Sequence, residues 1–345
     1  MDKILPLGKL PVELLSRLLS RAPVCDPRVK LGPGIGLDCA VLDLGENLLV
    51  LKSDPITFAN EEIGWYLVQI NANDIATCGA EPRWLLVTAL LPENKTTQDL
   101  VEAISDQVFR ACQQAGISVI GGHTEITSGL DRPILMGTLI GEVKRERLIT
   151  PRGARPGDRL LLTKGIPIEA TALLARERPE KARQALNEAE LEQASQFLFD
   201  PGISVLRDAQ LAVQAGHVTA MHDPTEGGLA AALWELSEAC GKGLTIEPEN
   251  IPIPELSLRL CNAFGLDPLA AIASGALLMA VSPQDAEAIC QALEKAGIRC
   301  SDIGLVENRP PGVLQRTAQG LKILDRPARD ELTKIFELGT RQIQR

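Results

Sequence analysis

Eight polar residues stand where an acid, a base or a ligand would act among glycines and element ends: Asp38, Asp54, Asn71, Asp74, His123, Thr124, Glu125 and Asp223. Four are aspartates, and only Asp54 has a basic residue, Lys52, close by in sequence. Carboxylates of this kind, with phosphate oxygens completing the shell, suit Mg2+, which takes oxygen ligands and keeps part of its water. That is the metal chemistry of ATP-dependent phosphoryl transfer, where the ion offsets charge on the triphosphate. The chain has no G-x-x-x-x-G-K-[ST] run and no G-x-G-x-x-G leading into a helix and a distant acid, so P-loop and dinucleotide-fold readings find no support.

The elements that must position these residues begin with the stretch from Glu61 to Pro82. It predicts a helix that stops at Gly79, where a left-handed cap is cheap, with Pro82 just beyond. At roughly 100° per residue, Ile63, Leu67 and Ile70 form an inward stripe. Asp74 falls inside that stripe and Asn71 at its edge. A carboxylate there is costly unless it is paired, hydrogen-bonded or bound to a cation. Two readings stay open: a paired carboxylate in the core, or a metal ligand at the bottom of a phosphate site.

Upstream, strands Cys39–Leu42 and Leu48–Lys52 joined at Gly45-Glu46-Asn47 predict a hairpin. In an antiparallel pair the start of one strand lies beside the end of the other, which makes Asp38 and Asp54 neighbours. Lys52 reads either as a solvated lysine or as one that reaches a phosphate. Downstream come strand Trp84–Leu91, helix Thr97–Ala115 and strand Ser118–Ile120, which runs into Gly121-Gly122-His123-Thr124-Glu125. Glycines after a strand let backbone approach a phosphate, or simply make a turn. His123 reads as a ribose or phosphate contact, an acid/base, or a turn histidine.

Residues 152–158 are turn-rich and set the expected boundary between domains 1–152 and 153–345. The second domain opens with strand Arg159–Thr163 and places Lys164 at a strand-to-helix turn within reach of a phosphate. Strand Val218–Met221 then meets the run His222-Asp223-Pro224-Thr225-Glu226-Gly227-Gly228. Short strands are expected at Ala271–Ser274 and Ala276–Val281, and a charged amphipathic helix over 326–345. Both halves mix strands and helices, so the fold class is α+β.

Composition narrows the partners. With 345 residues, 45% of them hydrophobic, the chain is long enough for two domains around large cores. A net charge of -10 argues against a DNA-backbone binder, and 3% aromatics argue against stacking platforms for single strands. Eight cysteines without a C-x-x-C pair read as small buried apolar side chains in a reducing compartment, not as a zinc site or a disulfide framework. No apolar run approaches the ~20 residues that span a bilayer, and Met1–Pro6 lacks a signal-peptide core. The expected setting is therefore the cytoplasm, with no nucleic acid and no membrane.

The ordered motifs Gly36-Leu-Asp-Cys-Ala-Val41, Ser53-Asp54, Asn73-Asp74-Ile-Ala-Thr-Cys-Gly-Ala-Glu-Pro82, Gly121-Gly122-His123-Thr124, Ile140-Gly-Glu-Val143, Arg155-Pro-Gly-Asp158 and Asp223-Pro-Thr-Glu-Gly-Gly-Leu229 resemble the aminoimidazole ribonucleotide (AIR) synthetase superfamily. That PurM-like group includes thiamine-monophosphate kinase, selenophosphate synthetase and the hydrogenase maturation protein HypE. The last motif looks most like HypE and its relatives. The resemblance implies a homodimer of two-domain subunits whose N-terminal sheets pair into a barrel-like interface, with ATP and Mg2+ nearby. It also implies ATP-dependent phosphorylation of an oxygen, sulfur or selenium atom on a small or carrier-linked substrate, with a maturation partner protein in the HypE case. Carried over, Asp38, Asp54 and Asp74 fall on metal or triphosphate positions. Asn71, Gly121 and Gly122 line the same site, and Asp223 falls on a position that bears on the phosphates in some members. From their own settings beside glycines, Thr124 and Lys164 are read as nucleotide-binding and His123, with Asp223, as catalytic. Two departures bear on activity. Leu37 stands where many members have a second acid, and no cysteine follows Cys300, whereas HypE carries its substrate on a tail thiol. The HypE reaction in its usual form is not expected, which leaves a non-catalytic nucleotide-binding accessory protein as the alternative.

Overall fold

The structure is a computed structural model that describes residue 5 and residues 7–335. The chain divides into two compact units. One comprises residues 24–32 and 38–148. The other comprises residues 149 onward with residues 33–37 and the segment ending at Pro23. Helix α1, Val12–Leu19, belongs to the second of these.

The first unit is built on one sheet. Its strands are β1 (Val29–Leu31), β2 (Ala40–Asp43), β3 (Asn47–Ile56), β4 (Glu81–Pro92), β5 (Ser118–Thr127) and β6 (Ile134–Lys144), in the order β1-β2-β3-β6-β4-β5. The expected hairpin is β2–β3, with Ala40 opposite Leu51. All neighbours run antiparallel except β4 and β5, which are joined by helix α3, Gln98–Ala115. Thr97 caps α3 by accepting the Leu100 N–H, and Gly116 ends it in a left-handed conformation.

Helix α2, Ile63–Thr77, lies on the same sheet and is buried almost all round. Two glycines of β6 let it come close. A Cβ on Gly137 would meet Asn71 Nδ2 at 2.7 Å, and one on Gly141 would meet Ile75 Cγ2 at 2.4 Å. Asn71 and Ile75 are one helical turn apart, so the glycines form a groove under one face of α2. Gly64 does the same for the helix pair: a Cβ there would meet the Ile104 carbonyl oxygen at 2.7 Å.

The expectation that Gly121–Glu125 forms a loop is corrected. The strand continues through it, paired with β4 from Trp84↔Ser118 to Pro92↔Thr127, with a bulge at Ile120. Gly122 has φ of 148°, and a Cβ there would meet the Val87 carbonyl oxygen at 1.8 Å. The glycines let an edge strand lie tight against β4; that need, and no loop, places them there.

The second unit carries seven strands: β7 (Arg159–Thr163), β8 (Val218–His222), β9 (Gly243–Ile246), β10 (Leu278–Val281), β11 (Cys300–Glu307), β12 (Gly312–Thr317) and β13 (Gly320–Ile323), in the order β13-β12-β9-β11-β7-β10-β8. Its helices are α4 (Ile168–Glu177), α5 (Pro179–Ala182), α6 (Glu188–Ser195), α7 (Leu206–Ala215), α8 (Gly228–Cys240), α9 (Glu255–Phe264) and α10 (Ala286–Lys295). Leu229, Leu233 and Leu236 of α8 pack with Leu160, Leu162, Leu244, Ile246 and Leu278 of the sheet into one core.

Two further expectations fail here. Residues 271–274 are not a strand. Their neighbourhood spends its carbonyls on other elements: Leu269 accepts from Ala230 N–H, Ala270 from Glu331 N–H and Ile272 from Ala170 N–H, so no ladder forms. Residues 326–332 are irregular and helix begins only at Thr333, while the rest of the expected tail helix lies outside the described residues. The hairpin β12–β13 is an addition that the sequence reading did not foresee.

Candidate functional site

In the first unit the structure gathers five of the named polar residues at one end of the β2–β3 hairpin. Asp54 lies inside β3, past the point where β2 begins opposite it. With no strand on that side, its backbone is satisfied by Asn71. The Asp54 N–H donates to Asn71 Oδ1 at 3.1 Å, and Asn71 Nδ2 donates to Asp54 O at 3.4 Å and Leu67 O at 2.9 Å. Asn71 therefore splices α2 onto the free side of β3 and uses its amide in doing so.

One turn along α2, Asp74 is buried, and its Oδ1 lies 3.1 Å from Lys52 Nζ. The same ammonium lies 3.2 Å from Asp54 Oδ2. Burial alone pulls the Lys52 pKa down, but Asp74, Asp54 and then Asp38 outweigh it and hold it well above the usual lysine value. The backbone of Asp74 is fixed as well, since its carbonyl accepts from Thr77 Oγ1 at 2.7 Å and Cys39 Sγ at 3.2 Å. Of the two readings left open for Asp74, the paired carboxylate is present directly, with Lys52 as its partner. Lys52 is the candidate side chain that sequence reasoning undervalued. Its signal was its place in a strand, two residues before an aspartate and on the same side of the pleat.

The charges around Lys52 favour a cation. Three aspartates converge on one positive charge and raise its pKa, so the local field favours a cation, and every donor is an oxygen.

Gly121, Gly122, His123 and Thr124 stand elsewhere on the same sheet. Asp54 pairs with Gly137, Gly137 with Val87, and Val87 with Gly122, so these residues form one row across β3, β6, β4 and β5. Three strand spacings separate Asp54 from Gly122, about 14 Å. His123 is exposed, with Nε2 2.9 Å from Glu125 Oε2. A cavity of about 300 Å3 opens between this strand and α3, lined by Val87, Val108, Phe109, Val119, Gly122 and His123 among others.

Asp223 and Lys164 belong to the second unit. Asp223 follows β8 and is buried; beside it His222 Nε2 lies 2.9 Å from Glu235 Oε2 of α8. Lys164 sits in a left-handed conformation at φ 57°, with its Nζ 2.5 Å from Ser204 O, 3.0 Å from Gly275 O and 3.2 Å from Asp208 Oδ2. Burial lowers its pKa, while Asp208 pushes back. The ammonium is thus engaged by the protein itself. A group the sequence reading missed is Glu169, in the first turn of α4. Burial pushes its carboxyl up to about 8; Ser274 draws it back, and Glu226 and Asp330 push further up. Burial likewise raises Asp330 to about 7, although the Gly227 and Leu332 N–H groups donate to it.

Two mixed sheet-and-helix units, one of them holding carboxylates around a lysine, define a two-unit α+β protein of the PurM-like fold. The chain belongs to the AIR synthase-related family: residues 36–143 match its N-terminal domain and residues 155–316 its C-terminal domain. A hydrogenase expression/formation protein of Methanocaldococcus jannaschii is 30% identical, over 88% of this chain and 90% of its own. The carbamoyl dehydratase HypE of Cupriavidus necator is also 30% identical, over 81% and 78%. Among solved structures, HypE in complex with ATP superposes with a TM-score of 0.69 at 25% identity, covering 88% of this chain and 90% of that one. A HypE–HypF complex gives the same TM-score and identity over 83% and 93%.

Proposed function

We propose that this chain is an ATP- and Mg2+-dependent enzyme that phosphorylates, and so activates, an O-, S- or N-linked carbonyl group of a small or carrier-linked substrate. The observation that carries the reading is the convergence of Asp38, Asp54 and Asp74 on Lys52, in a chain whose relatives include a carbamoyl dehydratase and an ATP-bound HypE. In this reading residues 1–152 bind nucleotide and residues 153–345 serve the substrate side. Bound Mg2+ supplies charge neutralisation on the triphosphate. Asp38, Asp54 and Asp74 would hold that cation, and the Lys52 ammonium, which lies against Asp54 and Asp74, would meet a phosphate oxygen. Asn71 keeps β3 and α2 in register so that the carboxylates need not reorganise. Gly121, Gly122 and Thr124 offer the far end of the nucleotide a strand edge. His123, oriented by Glu125, and Asp223 are the candidates for proton transfer, and Lys164 holds the Ser204 and Gly275 backbone.

The assembly in this reading is a homodimer through β5, which is exposed along nearly its whole length and carries Val119, Ile120 and Ile126. A maturation partner protein fits the likeness to HypE in complex with HypF. Among the described residues no helix is long and apolar enough to cross a membrane.

Asp74→Asn tests the site. It removes one negative charge from the cation shell and leaves Lys52 a single partner. Mg-ATP affinity, measured by calorimetry, should drop at least tenfold, about 1.4 kcal/mol. Unaltered affinity in a folded variant would sink the assignment. Turnover of ATP with carboxamide-bearing thiols, measured on the unmodified chain, separates the enzyme from the accessory protein.

A further inference from the structure

In the second unit, Cys290 on α10 and Cys300 at the start of β11 face each other with their sulfurs 2.9 Å apart. The chain turns back between them at the end of α10, where Gly297 donates to Glu294 O and Ile298 to Leu293 O, which returns β11 beneath the helix. The two thiols share one hydrogen bond, in which either sulfur can be the donor. The two sulfurs are unequal. Cys290 is half-buried, and its hydrogen bond with Cys300 lowers its pKa; Cys300 is only 8% exposed, and the same contact together with burial raises its own. The thiolate therefore forms on the sulfur that solvent reaches, and the protonated partner waits behind it. No other pair among the described residues shares this layout. Cys39 and Cys78 adjoin but are both buried, with burial pushing the Cys39 thiol up, and burial raises Cys112 and Cys261 to about 11 and about 12.

We propose that Cys290 and Cys300 are a reversible oxidation site that closes to a disulfide under peroxide. The Cys290 thiolate attacks one peroxide oxygen, the O–O bond breaks, and a sulfenic acid forms as hydroxide leaves and takes a proton to become water. The Cys300 sulfur then attacks the sulfenic sulfur; the S–S bond forms, the S–O bond breaks, and the hydroxyl leaves as water with the Cys300 proton. In total two thiols lose two electrons and two protons, and one hydrogen peroxide becomes two waters. The sulfurs need to close only from 2.9 Å to about 2.0 Å. A dithiol reductant reverses the step by exchange. The bridge would pin α10 to the end of β11, where Cys300 pairs with Thr163 and Arg299 O accepts the Lys164 N–H at 2.7 Å. It would so fix the turn that carries Lys164.

The test uses the full chain, reduced, freed of reductant and treated with a modest excess of hydrogen peroxide at neutral pH. It is then denatured, alkylated and weighed intact. The expected product is two hydrogens lighter, takes up label at six of its eight cysteines, and yields a Cys290–Cys300 cross-linked peptide; dithiothreitol restores all eight sites. In Cys300→Ser the bridge should be lost and Cys290 should be trapped as a sulfenic acid by dimedone. In Cys290→Ser, Cys300 should keep its free thiol at the same dose. Eight labelled cysteines after peroxide, or a cross-link that maps to another pair, overturns the proposal on the unmodified protein alone.

Discussion

Lys52 is the residue on which the candidate site turns, because its ammonium lies against two carboxylates. A second residue of this kind is Glu169, whose burial has a measurable consequence for stability. Its carboxyl holds a proton to about pH 8 when folded, against an ordinary value of 4.5. Below 4.5 both states are protonated and its contribution to stability is full; as pH rises toward 8 the unfolded chain has already released the proton, so the contribution is progressively lost. Asp330 acts in the same direction up to about 7. Glu169→Gln keeps size and hydrogen bonding but has no proton to lose. Its melting temperature should fall less than that of the unmodified chain between about pH 5 and pH 8, read by scanning fluorimetry in a pH series. Parallel curves would show that Glu169 does not hold that proton.

At the scale of elements, the close seat of α2 on β6 and α3 is what aligns Asn71 and Asp74 with β3. Gly64→Ala puts a methyl against the Ile104 carbonyl and Gln107 and should cost about 1–3 kcal/mol, seen as a lower denaturation midpoint in urea. Gly137→Ala instead pushes on Asn71, so it should weaken nucleotide affinity more than it weakens folding. Such contacts also explain what the sequence revealed and what it hid. The helix α2 with a buried acid in it was legible, as was the β2–β3 hairpin, because both follow from local periodicity. The run Gly121–Glu125 was misread, since glycine after a strand looks the same whether it turns or lies against Val87 O. Residues 271–274 look like a strand because they are apolar, yet helix N–H groups from α4 and α8 claim the carbonyls around them. Neither partner is visible in the local sequence. Glu169 was hidden for the same reason: a glutamate in the first turn of a helix reads as an ordinary surface acid until tertiary packing covers it.

For the whole molecule, β5 is an edge strand that presents Ile120 at 53% and Ile126 at 61% exposure. A long apolar edge of this sort invites pairing with another copy. Ile120→Lys places a charge there and should shift the protein to monomer in sedimentation velocity at micromolar concentration; an unchanged dimer would place the interface elsewhere, and a monomeric unmodified chain would remove the dimer from the proposed function. The aspartate–lysine cluster has a consequence at this scale too. Domains whose ligands repel one another in the absence of metal wait for the ion before they can fold. Here the chain carries an internal counter-ion, so part of the pocket's negative charge is already offset as the sheet closes over it. In the proposed reading folding does not wait for cofactor loading: a newly made chain is expected to reach its final shape whatever the magnesium supply, and the ion would be needed only once nucleotide is bound.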